Sequence, residues 1–352
     1  SVGLYDWKLN ATGEPWKTRC PHCDDVFPKN DFKAFYESAL DEQGYFRIEN
    51  GDRSLLYNTE HPDPNDPLHM FGVDDGTGYK EGEGETWWFI GYYLIWGQWR
   101  RNIMPAVRTL STAYSYTGNI EYARRLGILI DRLADFFPEY DFATQGILYN
   151  GDSISAGSVS YRIDNPGDCA NIALAYDRVY DAIKTDTVFQ EFVHQKAVER
   201  GLENEKTTFS QIAHNIEKNI LRFIISDDKT IRDKIQSNYP ATENCILTIM
   251  NVLDKNRYQK SIDSLLDTVL KTATAYDGTN NEKGFSNYTI MNRANFYNVL
   301  ASVAAYDETF MPRVVEKYPN IIKSFEIFRD LWAFGSFYPS NGDGGNFWDR
   351  SL

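Results

Sequence analysis

The sequence predicts an all-α protein of antiparallel helical hairpins, and three observations lead there. From about residue 85 the apolar residues recur with the 3.6-residue period of a helix. The periodic segments have ordinary helix lengths and are joined by short turns such as Thr117-Gly118-Asn119. Strand-type alternation is weak throughout. Hairpins of this kind in series describe an α/α toroid or a solenoid.

Residues 1–85 read differently, as an irregular N-terminal arm rich in Pro, Gly and Asp. Its run His61-Pro62-Asp63-Pro64-Asn65-Asp66-Pro67 cannot be helical, because proline removes a backbone donor and clashes with the preceding turn. Only residues 31–40 look helical there. The second region, 86–352, carries predicted helices over 86–117, 119–136, 168–184, 187–201, 207–225, 241–253, 259–276, 289–306 and 319–333. Residues 140–166, rich in Gly, Ser and Tyr, read as a loop or short strands.

At 352 residues and 42% hydrophobic content, the chain can bury a large core. A formal net charge of −14, with no basic run, excludes nucleic acid as the expected partner. No stretch of eighteen apolar residues is present, so no membrane span is expected. The chain opens at Ser1-Val2-Gly3 without an apolar leader, which reads as the mature form of a periplasmic or extracellular protein. Aromatic content is 15%, which suits either a large helical core or the flat faces that pack against sugar rings.

Two short polar segments set into helical sequence carry the chemistry. Ser237-Asn238-Tyr239-Pro240 and Gly284-Phe285-Ser286-Asn287-Tyr288-Thr289 each precede an apolar-periodic run. Each should therefore hold its polar side chains at a helix N-terminus. Beyond Tyr288, Asn292 and Asn295 follow at i+4 and i+7, on the tyrosine's face of the helix. Such a set suits proton abstraction beside a carboxylate better than hydrolysis.

Three further segments are candidates. In the first long helix Trp88, Tyr92, Trp96 and Trp99 share a face, with Arg100 beside it. This is a core stripe or a sugar platform whose guanidinium matches a carboxylate. Ser160-Tyr161-Arg162-Ile163-Asp164-Asn165-Pro166-Gly167-Asp168 is a polar loop entering a helix, so Tyr161 and Arg162 could line a cleft mouth. Cys20-Pro21-His22-Cys23 is half of a zinc knuckle, and its spacing also permits a local disulfide. A structural zinc at Cys20 and Cys23 is the one metal expectation; no cofactor is required. Cys169 and Cys245 read as core thiols.

On these residues the chain resembles the N-terminal toroid of the heparinase II/III-like and alginate-lyase superfamily of polysaccharide lyases. The matching pieces are Cys20-Pro21-His22-Cys23 with Phe27-Pro28, the segment from Gly91 through Thr117 into Gly118-Asn119-Ile120-Glu121-Tyr122-Ala123, Asn238, Asp277-Gly278, Tyr288, and Pro339-Ser340-Asn341-Gly342-Asp343-Gly344. The resemblance implies an incomplete (α/α) toroid over residues 86–352, with an acidic polysaccharide as substrate. It implies that Asn238 neutralises a uronate carboxylate and that Tyr288 is base, acid or both. Trp99, Arg100, Tyr161, Arg162, Tyr239, Asn292 and Arg293 would bind substrate.

Alginate is favoured, with glucuronan or a glycosaminoglycan as other polymers. Free tyrosine ionises near pH ~10, so a base of this kind needs a nearby cation; Arg293, Arg162 and Arg100 are candidates. The sequence departs from the family in two ways. Tyr239 stands where many relatives carry histidine, and the sequence stops at Leu352 before the usual C-terminal β-sandwich, so a fragment or a toroid-only member is expected. Two other readings compete. One is an α/α-toroid glycoside hydrolase, with Asp164, Asp168, Glu243 and Asp343 as candidate carboxylates. The other is a non-catalytic carbohydrate-binding toroid.

Overall fold

The computed structural model describes residues 7–84, 86–140, 159, 163–226, 235, 237–280, 288–305 and 307–339. Helix accounts for 61% and strand for 4%, so the all-α class holds. The chain divides into two compact units, Ser1–Tyr161 with Arg178–Ile220, and Arg162–Asp177 with Leu221–Leu352. That division does not fall at residue 85, because the arm shares a core with the helix that follows it.

In the first unit, β1 (Thr18–Arg19) pairs antiparallel with β2 (Val26–Phe27), and β3 (Tyr79–Lys80) with β4 (Thr86–Trp87). Helix α1 (Phe32–Ser38) is capped by Asp31, which accepts from the Ala34 N–H. The arm folds by packing aromatic rings. Phe27 stacks on Phe89 at 4.7 Å, and Trp7 meets Phe89 edge-on at 5.6 Å. Phe32, Phe35 and Leu56 close over Ile90. Asn30 and Asp74 exchange side-chain and backbone hydrogen bonds at 3.0 Å. The buried Asp74 carboxylate then accepts from the N–H groups of Gly76, Gly78 and Ile90, pinning the arm to the next helix.

That helix is composite. It runs as α2 (Phe89–Tyr92), an eleven-residue π-helical stretch (Tyr93–Ile103) and α3 (Met104–Thr117). Gly118, at φ +63, ends it in the left-handed conformation that glycine adopts at least cost. Asn119 then caps α4 (Ile120–Phe136), which folds back against α3. α5 (Asn165–Thr185) follows. α6 (Thr187–Glu199) is capped by Asp186, and α7 (Phe209–Ile216) carries a Thr208/Gln211 capping box. A second π-helical stretch covers Glu217–Arg222.

The second unit centres on α8 (Ala241–Thr272), α9 (Tyr288–Ala304), α10 (Phe310–Lys317) and α11 (Asn320–Asp330). α8 is two helices in one span, broken at Asp254, whose backbone is extended (φ −174, ψ 94). A straight helix of this length would place its ends about 48 Å apart. Instead the Tyr239 hydroxyl, just before α8, lies 2.5 Å from Thr272 Oγ1 at its far end. The two arms therefore double back as an antiparallel hairpin, as the separate segments 241–253 and 259–276 predict. Leu247, Ile262, Val269, Phe296, Val299, Phe310, Val314 and Ile321 form the core between these helices. α10 was not predicted. Among the described residues no helix is long and apolar enough to cross a membrane.

Candidate functional site

Asn238 lies two residues before Pro240, the N-cap of α8, and Tyr288 opens the described span of α9, both within the second unit. The Asn238 carbonyl accepts from the Ala241 N–H at 2.9 Å, opening α8 behind a cis Tyr239–Pro240 peptide. Thr242 fixes the approach by accepting from the Ser237 N–H at 3.1 Å and donating to the Ile235 carbonyl. Tyr288 is the first residue of α9 and is half-buried. The segment before α8 touches α9: Asn238 Nδ2 lies 3.7 Å from the sulfur of Met291, in the first turn of α9. A thioether is a weak acceptor, so this contact orients the amide without using up its hydrogen-bonding capacity.

Asn292 is the second notable residue. The buried positions of α9 are Thr289, Asn292, Arg293, Phe296, Val299 and Leu300, a stripe at helical spacing. Asn292 sits within that stripe at 3% exposure, and neither its Nδ2 nor its Oδ1 has a hydrogen-bond partner. An unpaired buried amide costs roughly 1–3 kcal/mol per polar group. Thr289, next on the stripe, is satisfied by Asn280 Oδ1 at 2.8 Å.

Arg293 has a structural job. Its guanidinium is buried, with Nη1 donating to Thr274 Oγ1 at 2.9 Å and Nη2 donating to the Gly278 carbonyl. Burial pulls its pKa below the usual arginine value. The turn it holds is rigid in its own right. Asp277 accepts from the N–H and hydroxyl of Thr279, and Gly278 sits at φ +93. A Cβ at position 278 would lie 2.4 Å from the Lys323 carbonyl oxygen, so only glycine fits. The expectation that Arg293 binds substrate is therefore corrected: both of its Nη groups are engaged with Thr274 and Gly278 inside the protein, and its buried Nε has no hydrogen-bond partner. Arg293 also lines a cavity of about 390 Å³ together with Ile290, Ala294, Tyr297, Phe328 and Tyr338.

Tyr239 needs a similar correction. Its hydroxyl is engaged with Thr272, and its ring packs on the core of the second unit. Burial raises its pKa. It fastens the α8 hairpin.

The aromatic stripe of the first unit is a seam against the arm. Tyr92 and Trp99 are buried, and Trp88 and Trp96 pack with Trp7, Leu9, Tyr92 and Ile95. Trp99, at 2% exposure and edge-on to Tyr140, has no open face for a sugar ring. The Arg100 guanidinium lies over the Trp96 ring at 4.4 Å. Tyr161 and Arg162 lie outside the described residues, as do Asn287 and Asp343. Asp164 and Asp168 occupy one turn at the start of α5, joined by a backbone hydrogen bond of 3.2 Å, so they stand beside each other. At the Cys20 hairpin, burial raises the thiol's pKa. The N–H groups of Cys23 and His22 and the Cys23 thiol outweigh it and bring the value below normal. A tetrahedral zinc here would need two more ligands, and among the described residues no group of three or more His, Cys, Asp or Glu side chains gathers to hold a metal.

One polar site escaped the sequence reading. Lys206 is buried in the first unit and pairs with Asp131 at 2.7 Å and Asp135 at 2.6 Å. Asn215 donates to both carboxylates, at 3.0 and 2.9 Å, and Asn219 donates to Asn215. The network floors a cavity of about 650 Å³ whose rim includes His214, Lys218 and Glu203. Burial pushes Asp131 above the usual carboxylate range against the pull of Lys206. Asp131 and Asp135, four apart on the otherwise apolar face of α4, were the available signal.

Comparison with protein-family models, curated proteins and solved structures finds no significant match to this chain.

Proposed function

We propose that the chain is a polysaccharide lyase that cleaves a uronic-acid polymer, alginate foremost, by β-elimination on an incomplete (α/α) toroid. The observation that supports this reading is the contact of Asn238 with Met291 in the first turn of α9, the helix that carries Tyr288. The unpaired Asn292 amide, one helical turn beyond Tyr288, adds to it. Buried polar groups are rarely left without partners unless a ligand, a water or a reaction uses them.

In this reading the Asn238 amide donates to the substrate carboxylate. That stabilises the negative charge that spreads onto the carboxylate when the C5 proton leaves, as preorganised donors do for an oxyanion. Tyr288, as its phenolate, removes the C5 proton, and the resulting phenol passes it to the leaving glycosidic oxygen, which departs as a hydroxyl. Arg293 and the Asp277–Gly278 turn keep α9 in place. Tyr239, fastened to Thr272, fixes the backbone next to Asn238.

An ultraviolet assay for the unsaturated uronate product across alginate, glucuronan, hyaluronan, heparan and ulvan tests the proposal. Absorbance should rise on at least one polymer and fail to rise with Tyr288→Phe. Release of reducing ends without the unsaturated product would instead indicate a hydrolase. Calorimetric binding without turnover on any polyuronate would indicate a binding toroid.

A further inference from the structure

The cavity of about 650 Å³ in the first unit has the volume of a small-ligand site. Its lining runs from Tyr45 to Asn219, all within that unit, whereas Asn238 and Tyr288 belong to the second. The floor is fixed. Lys206 is 2% exposed and held at φ +55, its backbone N–H donating to Asn204 Oδ1 at 3.1 Å. An ammonium carries three protons, and this one donates to Asp131 Oδ2 at 2.7 Å and Asp135 Oδ1 at 2.6 Å. Its third proton has no acceptor among the described residues. The Asp135 carboxylate accepts from Lys206, Asn215 and Arg132, and a carboxylate has about four lone-pair sites. One donor site and one acceptor site are therefore left on adjoining groups that both line the cavity. A hydroxyl is the group that can accept from the one and donate to the other at once.

The charges of the lining narrow the ligand further. Lys206 and Lys218 cancel Asp135 and Glu203, so the wall is polar without a net sign. An anion would meet two carboxylates there, and a cation two ammonium groups. At the rim, Glu203, Ser210, His214 and Lys218 are exposed, and their side chains enter no hydrogen bond or ion pair among the described residues. Asn219 donates from Nδ2 to Asn215 and keeps its Oδ1. Tyr45 contributes an aromatic ring to the wall, anchored by its hydroxyl to the Asp135 carbonyl at 2.7 Å.

We propose that this cavity binds an uncharged saccharide of one or two rings. One sugar hydroxyl accepts from Lys206 Nζ and donates to the Asp135 carboxylate on the floor, and further hydroxyls meet Ser210 and Asn219 nearer the rim. Because the buried pair and the Asn204 bond already hold Lys206 in place, little ordering remains to be done when the ligand arrives. The proposal does not rest on the lyase reading.

The test is saturation-transfer NMR on the full chain, followed by calorimetry. The probes are glucose, galactose, mannose, xylose, N-acetylglucosamine and the β-1,4-linked disaccharides cellobiose and lactose. Glucuronate, galacturonate and glucosamine serve as charged counterparts. At least one neutral sugar should bind with a dissociation constant on the order of 1 mM, at least tenfold tighter than its charged counterpart. Ser210→Trp, which fills the cavity from an exposed helix position, should weaken that binding at least tenfold while the protein still melts cooperatively. Asn238→Ala, in the other unit, should leave it unchanged. If Ser210→Trp does not fold, Asn219→Ala is read in the same way. No binding by any neutral sugar would mean that the cavity holds water alone and would overturn the proposal. So would equal binding of a uronate, or binding that survives the cavity substitution in a folded protein.

Discussion

Asn238 Nδ2 rests 3.7 Å from the Met291 sulfur, so the residue proposed to meet the substrate carboxylate is aimed by the helix that carries Tyr288. Substitutions at these two residues should follow a definite order. Asn238→Ala should lower kcat/KM about 10²- to 10³-fold, the range for loss of one donor to developing charge. Asn238→Asp should be worse, because it sets a second carboxylate against the substrate's own. Met291→Leu should cost less than about tenfold, since shape is kept and only a weak acceptor is lost. Steady-state kinetics on the preferred polymer, with circular dichroism to confirm folding, checks the order. Equal losses for Ala and Asp would remove charge recognition from the account.

Asn292→Leu separates stability from function. The substitution removes two unpaired polar atoms from the buried face of α9 and replaces them with apolar surface of similar size. Urea unfolding should show a gain of about 1–3 kcal/mol. Turnover should fall at least tenfold if the amide serves the site. A destabilised variant would mean that Asn292 has a partner in solution.

Lys206→Met should be among the most damaging single changes in the first unit. It leaves Asp131 and Asp135 buried without their cation, a loss of about 3–5 kcal/mol for a broken buried pair. Lys206 also holds φ +55, a conformation lysine tolerates only when its surroundings enforce it. Chemical denaturation reads the loss directly. A triple variant with Asp131→Asn and Asp135→Asn should recover part of it, because the orphaned charges are then gone.

Acid should loosen α10 through Asp307. Its carboxylate accepts from the Thr309 hydroxyl and N–H and pairs with Arg313 at 2.6 Å, holding its pKa at about 2 against an ordinary 3.8. The folded value lies below the unfolded one, so the native state takes up this proton later. The stabilising contribution is complete above the ordinary value and is lost as pH falls toward 2. Carboxyl chemical shifts followed by NMR should titrate there, and Asp307→Asn should abolish the corresponding step in helix content.

The sequence carried most of the helices because their apolar faces are periodic. It separated the two arms of α8 correctly, since the pattern pauses around Asp254-Lys255-Asn256. α10 was missed for a local reason: at eight residues with Pro312 near its start, it is too short for its period to stand out. The π-helical stretches were invisible, because a change in hydrogen-bond register leaves residue types unchanged. In the candidate site, Asn238 and Tyr288 were legible as polar residues just before apolar-periodic runs, and Asn292 as the residue one turn beyond Tyr288 on the same face. Arg293, Tyr239 and Trp99 were assigned to substrate because sequence shows what a side chain can do. Their actual partners, Thr274, Gly278, Thr272 and Tyr140, are set by tertiary packing that no local pattern reports.

The α8 hairpin has a mechanical property of its own. Asp254 is the pivot, and the arm running back to Tyr239 is about 20 Å long. A pivot rotation of about ten degrees would swing the far ends apart by roughly 3 Å over an arm of that length, more than a 2.5 Å contact between Tyr239 and Thr272 can span. The hydroxyl pair is therefore a latch on a pair of tongs, and Asn238 rides on the adjoining jaw. A force that parts the jaws would draw the Asn238 amide, with the first arm of α8, away from Thr272 and the second arm.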